Sequence, residues 1–191
     1  MKILFLNGSP RKNGYTVNIM KCIERKINSK HCIEWIHAYD LRIRPCLSCL
    51  KCRPNKECLL PKDDAHMVWH KIHSADVLII GSPTYFGNIS GQLKLLIDRN
   101  LTAFESMPAS GLEPPTPLQK GKKAVMVTTC NTPYPISELQ NQAKGTLQAI
   151  EAIFKAGGYT IIGSIIGDGS PSKNEISLNI EEKAEFLAQL L

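Results

Sequence analysis

The hydrophobic pattern of the chain alternates between short apolar runs and longer segments with helical spacing. The first run, residues 2–7, is short and almost continuously apolar, which is typical of a buried strand. After it, Val17, Met20, Ile23 and Ile27 recur at intervals of three or four residues, which indicates one face of a helix. A strand followed by a helix is the unit that the rest of the chain repeats.

This alternation occurs about five times, with no internal sequence repeat and no domain linker. Further strands are predicted at residues 32–37, 77–80, 124–128 and 160–166. Further helices are predicted from residue 63 or 64 to about 73, then at 91–101, 136–155 and 180–191.

Apolar strands that alternate with helices predict a parallel sheet that is covered on both faces. Right-handed crossovers restrict the topology to a doubly wound α/β sheet. We therefore predict a single domain over residues 1–191, with a cysteine-rich loop at about 45–61 and a proline-rich surface loop at about 103–120.

Composition narrows the class of protein. Apolar residues make up 43% of the 191 residues and charged residues 21%, which excludes disordered and fibrous classes. The apolar runs are too short to span a bilayer and the first residues lack a secretion-signal pattern, so we expect a cytoplasmic protein without a membrane partner. The net charge of +6 favours anionic cofactors or a negatively charged electron partner. No basic helix is interleaved with aromatic residues, so we expect no nucleic-acid binding.

Three predicted strands end in loops of small polar residues, and ligands of doubly wound sheets bind at such ends. In the first loop, GSPRKNGYT, a phosphate could use the hydroxyls of Ser9 and Thr16, the charge of Arg11 or Lys12, and the close approach that Gly14 permits. The loop matches neither a P-loop nor a dinucleotide fingerprint. The alternative is a solvated turn in which Thr16 caps the following helix.

The second loop, residues 82–88, joins hydrogen-bonding groups to two aromatic residues and a glycine. A planar conjugated ring needs polar groups at its edge and an apolar wall against its face, and this loop offers both. Alternatively, Tyr85 and Phe86 are core or interface aromatics. The third loop, residues 128–132, follows the fourth predicted strand.

At these loops the chain resembles the flavodoxin-like NAD(P)H-dependent FMN reductases, and among them the iron–sulfur flavoproteins. The resemblance covers nearly the whole chain and rests on three stretches: GSPRKNGYT after the first strand, GSPTYFGNISGQLKLLIDR after the third, and VTTC at the end of the fourth. It implies a three-layer sandwich whose five parallel strands, numbered along the chain, lie in the order 2-1-3-4-5.

The resemblance also implies FMN as cofactor and a set of residues around it. The phosphate ligands would come from the first loop, the isoalloxazine ring would lie along the second, and the third would close the pocket. The implied residues are Ser9, Arg11, Asn13, Gly14, Tyr15 and Thr16; Pro83, Thr84, Tyr85, Phe86, Gly87 and Asn88; and Thr128, Thr129, Cys130 and Asn131. Tyr15 departs from the family's small polar residue, so its hydroxyl either still reaches the phosphate or that contact is lost.

Four cysteines, Cys46, Cys49, Cys52 and Cys58, have the compact spacing C-x2-C-x2-C-x5-C. Such spacing suits a [4Fe-4S] cluster, which takes one thiolate per iron. Zinc also accepts four thiolates but usually on two separated pairs, and free thiols are the third alternative. The iron–sulfur flavoproteins resemble this stretch closely. Of the other cysteines, we expect Cys22 and Cys32 to be small buried residues, whereas Cys130 could be reactive.

The resemblance implies a flavin-dependent oxidoreductase in which the flavin carries the chemistry, so no residue receives a catalytic role. In the first hypothesis, a ferredoxin-like carrier delivers electrons through the cluster to FMN, which reduces a small-molecule acceptor. In the second, NAD(P)H reduces FMN directly and the cysteines are idle. The third hypothesis is a redox-sensing electron carrier without turnover of its own, and the fourth is an interaction protein stabilised by a structural zinc ion. The family resemblance also implies a homodimer or a homotetramer.

Overall fold

The computed structural model of the protein describes residues 1–54, 56–108, 113–169 and 175–191. Its principal sheet has five parallel strands in the order β2-β1-β3-β6-β7, as predicted, and a separate short ladder pairs β4 with β5. The strands are β1 (Lys2–Asn7), β2 (Cys32–His37), β3 (Val77–Pro83), β4 (Glu105–Ser106), β5 (Thr116–Pro117), β6 (Lys123–Thr129) and β7 (Thr160–Gly167).

Helices cover both faces of the principal sheet, as the resemblance implied. They are α1 (Tyr15–Lys26), α2 (Asp64–Ser74), α3 (Gly91–Arg99), α4 (Leu101–Phe104), α5 (Ile136–Leu139), α6 (Lys144–Gly157) and α7 (Leu178–Gln189), with a 3-10 turn at Ala38–Asp40. None of the helices in the described part of the chain combines the length and the apolar character that a bilayer crossing requires.

Alternate residues of β1 point to two separate hydrophobic cores. Leu4 and Leu6 pack into the core that contains residues of α2, α3 and α6, whereas Ile3 and Phe5 pack into the core with α1 and α7. Because β1 is buried on both faces, its sequence is continuously apolar. The two cores fix the sheet between its helix layers, and with it the edge at which the strands end.

Three sequence expectations require correction. The helix predicted over 136–155 is interrupted between α5 and α6, where Asn141 has a left-handed φ of 51° that cannot continue a helix. The segment predicted as a proline-rich loop begins inside α4 and contains β4 and β5, although residues 109–112 lie outside the described part. Cys32 is exposed because it starts β2, which is an edge strand.

Gly8 lies where the end of β1 meets α3, and this contact leaves no space for a side chain. A Cβ added at Gly8 would lie 2.9 Å from Cβ of Leu93, which is fully buried. We expect Gly8→Ala to lower the free energy of unfolding by about 1–3 kcal/mol, measured by urea denaturation.

Gly91→Ala is the matched control, because a Cβ added at that position meets nothing within 4 Å. Gly91 begins α3, where alanine is the better helix former, so this variant should be no less stable than the wild type. Equal stability of Gly8→Ala and the wild type would contradict the close packing of α3 on the end of β1.

Candidate functional site

The loop after β1 is held in shape by Asn7, the last residue of the strand. The Asn7 side-chain oxygen accepts a hydrogen bond of 2.8 Å from the Ser9 N–H. Its amide nitrogen lies 2.9 Å from Nδ1 of His37 at the end of β2. The Arg11 N–H donates to the Ser9 hydroxyl at 3.2 Å. Asn7 therefore links the ends of two neighbouring strands and sets the path of the loop that leads to α1.

The first turn of α1 has no side-chain cap among the described residues. Gly14 is the N-cap residue, and the Thr16 hydroxyl lies 2.7 Å from the Thr129 hydroxyl at the end of β6. The alternative in which Thr16 caps the helix is therefore wrong, because Thr16 lies inside α1 and its hydroxyl contacts β6. The first N–H groups of a helix lack intrahelical partners and attract anions, so the uncapped start of α1 has backbone donors beside the loop.

The loops after β1, β3 and β6 enclose one cavity of about 220 Å³ beside this turn. Its lining includes most of the residues that the sequence indicated there. They are Ser9, Arg11, Gly14, Tyr15, Thr16, Pro83, Thr84, Tyr85, Thr129 and Asn131, together with Pro10.

A polar hollow of about 460 Å³ adjoins this cavity and shares Thr84 and Asn131 with it. Three more of the indicated residues, Phe86, Gly87 and Cys130, line the hollow. The remaining members of its lining were not foreseen from the sequence: Gln140, Asn141 and Gln142. They lie at the break between α5 and α6, in a segment whose periodicity predicted a continuous helix and gave no sign of a cavity wall.

Asn13, Asn88 and Thr128 line neither space in the described part of the chain. Asn13 is exposed, and Asn88 closes the turn after β3. Thr128 supports the cavity wall from behind, because its hydroxyl lies 3.2 Å from that of Thr84, which also accepts a hydrogen bond from Thr146. Direct contact of these three residues with a cofactor remains a prediction from the resemblance.

Tyr85 and Asn88 close a tight turn at the rim of the cavity. Each N–H donates to the other's carbonyl at 2.9 Å. Between them, Phe86 and Gly87 have φ values of 47° and 72°, the geometry of a type I′ turn. Phenylalanine rarely adopts this conformation, yet the Phe86 ring is fully exposed. Neither Tyr85 nor Phe86 belongs to the core of the chain, so the turn displays an aromatic wall beside the cavity.

The backbone of α6 fixes the turn from behind. A Cβ added at Gly145 would lie 1.9 Å from the carbonyl oxygen of Gly87, so only glycine permits this approach. The turn is therefore held in place by packing as well as by its own hydrogen bonds.

Tyr15 is buried within this site, and its ring lies against the end of β7. A Cβ added at Gly167 would lie 2.6 Å from the ring, and the hydroxyl has no partner among the described residues. Burial, and secondly the charge of Asp168, raise the pKa of Tyr15. The hydroxyl therefore stays protonated, and its oxygen is buried from solvent.

The four clustered cysteines lie in the loop between β2 and α2 and line one cavity of about 90 Å³. Ser48 and Leu50, which separate them, have left-handed φ values of 51° and 59°, and the Ser48 N–H donates to Sγ of Cys46. Burial raises the pKa of Cys52, and the other three cysteines raise it further. The four cysteines therefore border one space, although no group of His, Cys, Asp or Glu in the described residues is arranged to hold a metal ion.

Both ends of this cysteine loop are fastened to the start of α2. The Arg44 N–H donates to Asp63, the N-cap residue of α2, at 3.0 Å. The Asp63 N–H donates to Nδ1 of His66, so Nε2 bears the hydrogen that it donates to the Cys58 carbonyl at 2.8 Å. His66 is thus engaged as part of a helix cap and is not arranged as a metal ligand.

Taken together, the doubly wound sheet and the polar cavity at its carboxyl edge define a flavodoxin-like α/β protein. A model of the family described as NADPH-dependent FMN reductase matches residues 1–166. The chain belongs to this family, which confirms the resemblance and, at the level of the family, the class of flavin-dependent oxidoreductases.

Individual relatives agree with this assignment. The chain is 40% identical over 104 residues to an iron-sulfur flavoprotein of Archaeoglobus fulgidus, a match that covers 54% of this chain and 50% of that protein. It is 36% identical over 101 residues to an iron-sulfur flavoprotein of Methanocaldococcus jannaschii, which covers 52% of each. The chain thus spans about half the length of the curated relatives it matches.

Solved structures support the fold. The FMN-dependent NADH-azoreductase of Bacillus anthracis, solved in complex with FMN, aligns with a TM-score of 0.75 at 17% identity. The alignment covers 100% of this chain and 99% of that one.

Cys130, whose reactivity the sequence left open, is a buried and protonated thiol. Burial raises its pKa to about 12, to which the hydrogen bond to Asp168 contributes. In the native protein at pH 8 we expect iodoacetamide to modify Cys130 about a thousand-fold more slowly than the exposed Cys32, because the thiolate is the reacting form. Peptide mass spectrometry over time measures both rates in one sample, and equal rates would contradict the assigned state of Cys130.

Proposed function

We propose that the chain is an FMN-dependent oxidoreductase that also carries a [4Fe-4S] cluster on its cysteine loop. The observation that carries the FMN assignment is the single cavity in which the loops after β1, β3 and β6 meet beside the uncapped start of α1. The family match and the FMN-bound azoreductase fold support the same cofactor.

The residues of the cavity divide into two groups by chemistry. Around the phosphate, the first-turn amides of α1, the Ser9 hydroxyl and the Arg11 guanidinium are the donors suited to an anion. Around the ring, the turn of Tyr85 and Phe86 supplies an aromatic wall, and the segment 129–131 lines another part of the space. Tyr15 also lines the cavity, although its hydroxyl oxygen is buried from solvent.

When bound, FMN supplies hydride and single-electron chemistry. The chain's own contribution is to hold the ring in one orientation and to limit the access of water. Cys130 lies beside this space as a neutral thiol, so we assign it a place in the wall and no catalytic role.

Support for the cluster comes from the donor set. Four thiols line one cavity, and the Ser48 N–H already donates to the sulfur of Cys46, a contact that stabilises thiolates. A cluster binds one thiolate at each iron, so its ligands need not meet at a point, whereas zinc requires all four sulfurs within about 2.3 Å of one ion. The compact spacing C-x2-C-x2-C-x5-C, in place of the two separated pairs usual for zinc, therefore favours the cluster over zinc. The names of the relatives support the same choice.

The charge around the cysteines favours an acidic electron donor. Residues 42–62 contain six of the chain's Lys and Arg residues and one acidic residue, Glu57. The exposed side chains of Leu47, Leu50 and Leu59 lie among these charges. Such a surface suits a ferredoxin-like carrier, which would deliver electrons to a small-molecule acceptor through the two centres. Direct reduction by NADPH, with idle cysteines, is the second candidate, and the family's description favours it.

Exposed apolar side chains near the cavity support assembly into a homodimer or a homotetramer. Phe86 is fully exposed. Tyr134 and Leu139 are also exposed, and they lie close in sequence to residues that line the polar hollow. A second copy that covered Phe86 would complete the wall beside the ring.

Arg11→Gln tests the phosphate site. The substitution removes one charged donor from the cavity, and we expect FMN to bind about ten-fold more weakly, measured by quenching of flavin fluorescence. Lys12→Gln is the matched control, because the adjacent Lys12 is paired with Asp40 at 2.6 Å and does not line the cavity. Equal weakening by both variants would contradict a specific role for Arg11.

Cys49→Ser tests the cluster. Anaerobically reconstituted wild type should show the flavin bands together with a broad shoulder near about 400 nm, and the variant should lose the shoulder and its iron but keep FMN. Loss of FMN along with the shoulder would mean that the loop has a structural role in the flavin site. Wild type that binds FMN but no iron, and is bleached by NADPH, would favour the second candidate.

A further inference from the structure

Arg99, the last residue of α3, is a buried arginine in the wall of the cysteine cavity. The residue is 3% exposed and its side chain 0%. Its guanidinium makes a bidentate pair with Asp63, with Nη1–Oδ2 and Nη2–Oδ1 distances of 2.7 and 3.1 Å. Nη1 also donates to the Arg44 carbonyl at 2.6 Å, two residues before Cys46. Arg99 thus contacts both the start of α2 and the start of the cysteine loop.

A buried ion pair of this kind contributes little to stability in itself, because desolvation of both ions opposes their attraction. Helix capping by Asp63 does not require the arginine, since Asp63 accepts the Ala65 N–H directly. Packing of α3 against the cores rests on Leu93 and Leu96, which are fully buried. Neither stability, helix capping nor packing therefore explains why a positively charged side chain is buried at this position.

Of the two members of the ion pair, only the arginine borders the cysteine cavity. Arg99 lines the cavity that contains the four thiols, whereas Asp63 is not part of that lining. One donor, Nε–H, is buried without a partner in the part of the chain that the structure describes. A permanent cation with a spare donor borders the space that the thiolates would share.

We infer that Arg99 is a positioning residue that compensates the negative charge of the centre bound by Cys46, Cys49, Cys52 and Cys58. It acts by holding the Arg44 carbonyl at the start of the loop and by placing its buried side chain in the wall of the cavity that Cys58 also lines. This inference rests on the proposed cluster. A fixed positive charge and an N–H donor near a thiolate-bound cluster stabilise its reduced, more negative state, so the reduction potential should be higher with Arg99 than without it.

The test is the midpoint potential of the anaerobically reconstituted protein, measured by a redox titration of the cluster signal. The double variant Arg99→Gln/Asp63→Asn replaces the ion pair by a neutral pair and so leaves no uncompensated buried charge. We expect it to retain the cluster at a lower potential than the wild type. Glu151→Gln/Lys155→Gln removes an exposed ion pair on α6, whose Nζ–Oε1 distance is 2.6 Å, and should leave the potential unchanged.

Arg99→Lys keeps the charge but loses the planar fork, and its potential should lie nearer to the wild type than that of the neutral double variant. A wild-type potential in the neutral double variant would overturn the inference and leave the proposed cluster standing. Wild type that takes up no iron would overturn both.

If the double variant keeps its melting temperature and FMN but holds no iron, its potential cannot be measured, and the Arg99→Lys variant then tests the inference. Iron retained at the wild-type potential in that variant would support a role for the charge. Loss of iron there as well would overturn it, since the charge alone would then not suffice.

Discussion

A buried hydrogen bond between the Thr16 and Thr129 hydroxyls ties the first turn of α1 to the end of β6. Because β3 lies between β1 and β6 in the sheet, this contact closes the edge of the sheet across three strand ends. The N-cap of α1 is Gly14, which has no side chain, so the first amides of the helix have no side-chain cap and are left for an anion. One side-chain pair thus assembles the cavity and leaves its charge-binding end open.

Much of this arrangement could be predicted from the sequence, for a physical reason. Continuous apolar strands report burial on both faces, and polar loops that follow parallel strands must meet at one edge. Hydrogen bonds between side chains that are far apart in sequence produce no periodic pattern from which they could be predicted. The role of Thr16, the hollow lined by Gln140–Gln142, and the close approach of Gly145 to the turn of Phe86 therefore became visible only in the folded chain.

The cysteine loop illustrates the same division. Its spacing alone indicated a metal centre, but left a cluster, zinc and free thiols open. The structure adds the frame of the loop: Asp63 and His66 fasten its two ends, and Arg99 contributes a buried cation to the cavity. The loop after β1 is connected to the end of β2 through Asn7 and His37. The candidate flavin site and the cysteine loop therefore start from neighbouring strand ends.

The central claim is that the start of α1 binds the phosphate of a flavin. FMN and riboflavin differ only in that phosphate, so isothermal titration of the purified protein with each of them measures the contribution of this site directly. Several charge-assisted hydrogen bonds should make FMN bind at least about a hundred-fold more tightly than riboflavin. Equal affinities for the two flavins, or no binding of either by folded protein, would contradict the account.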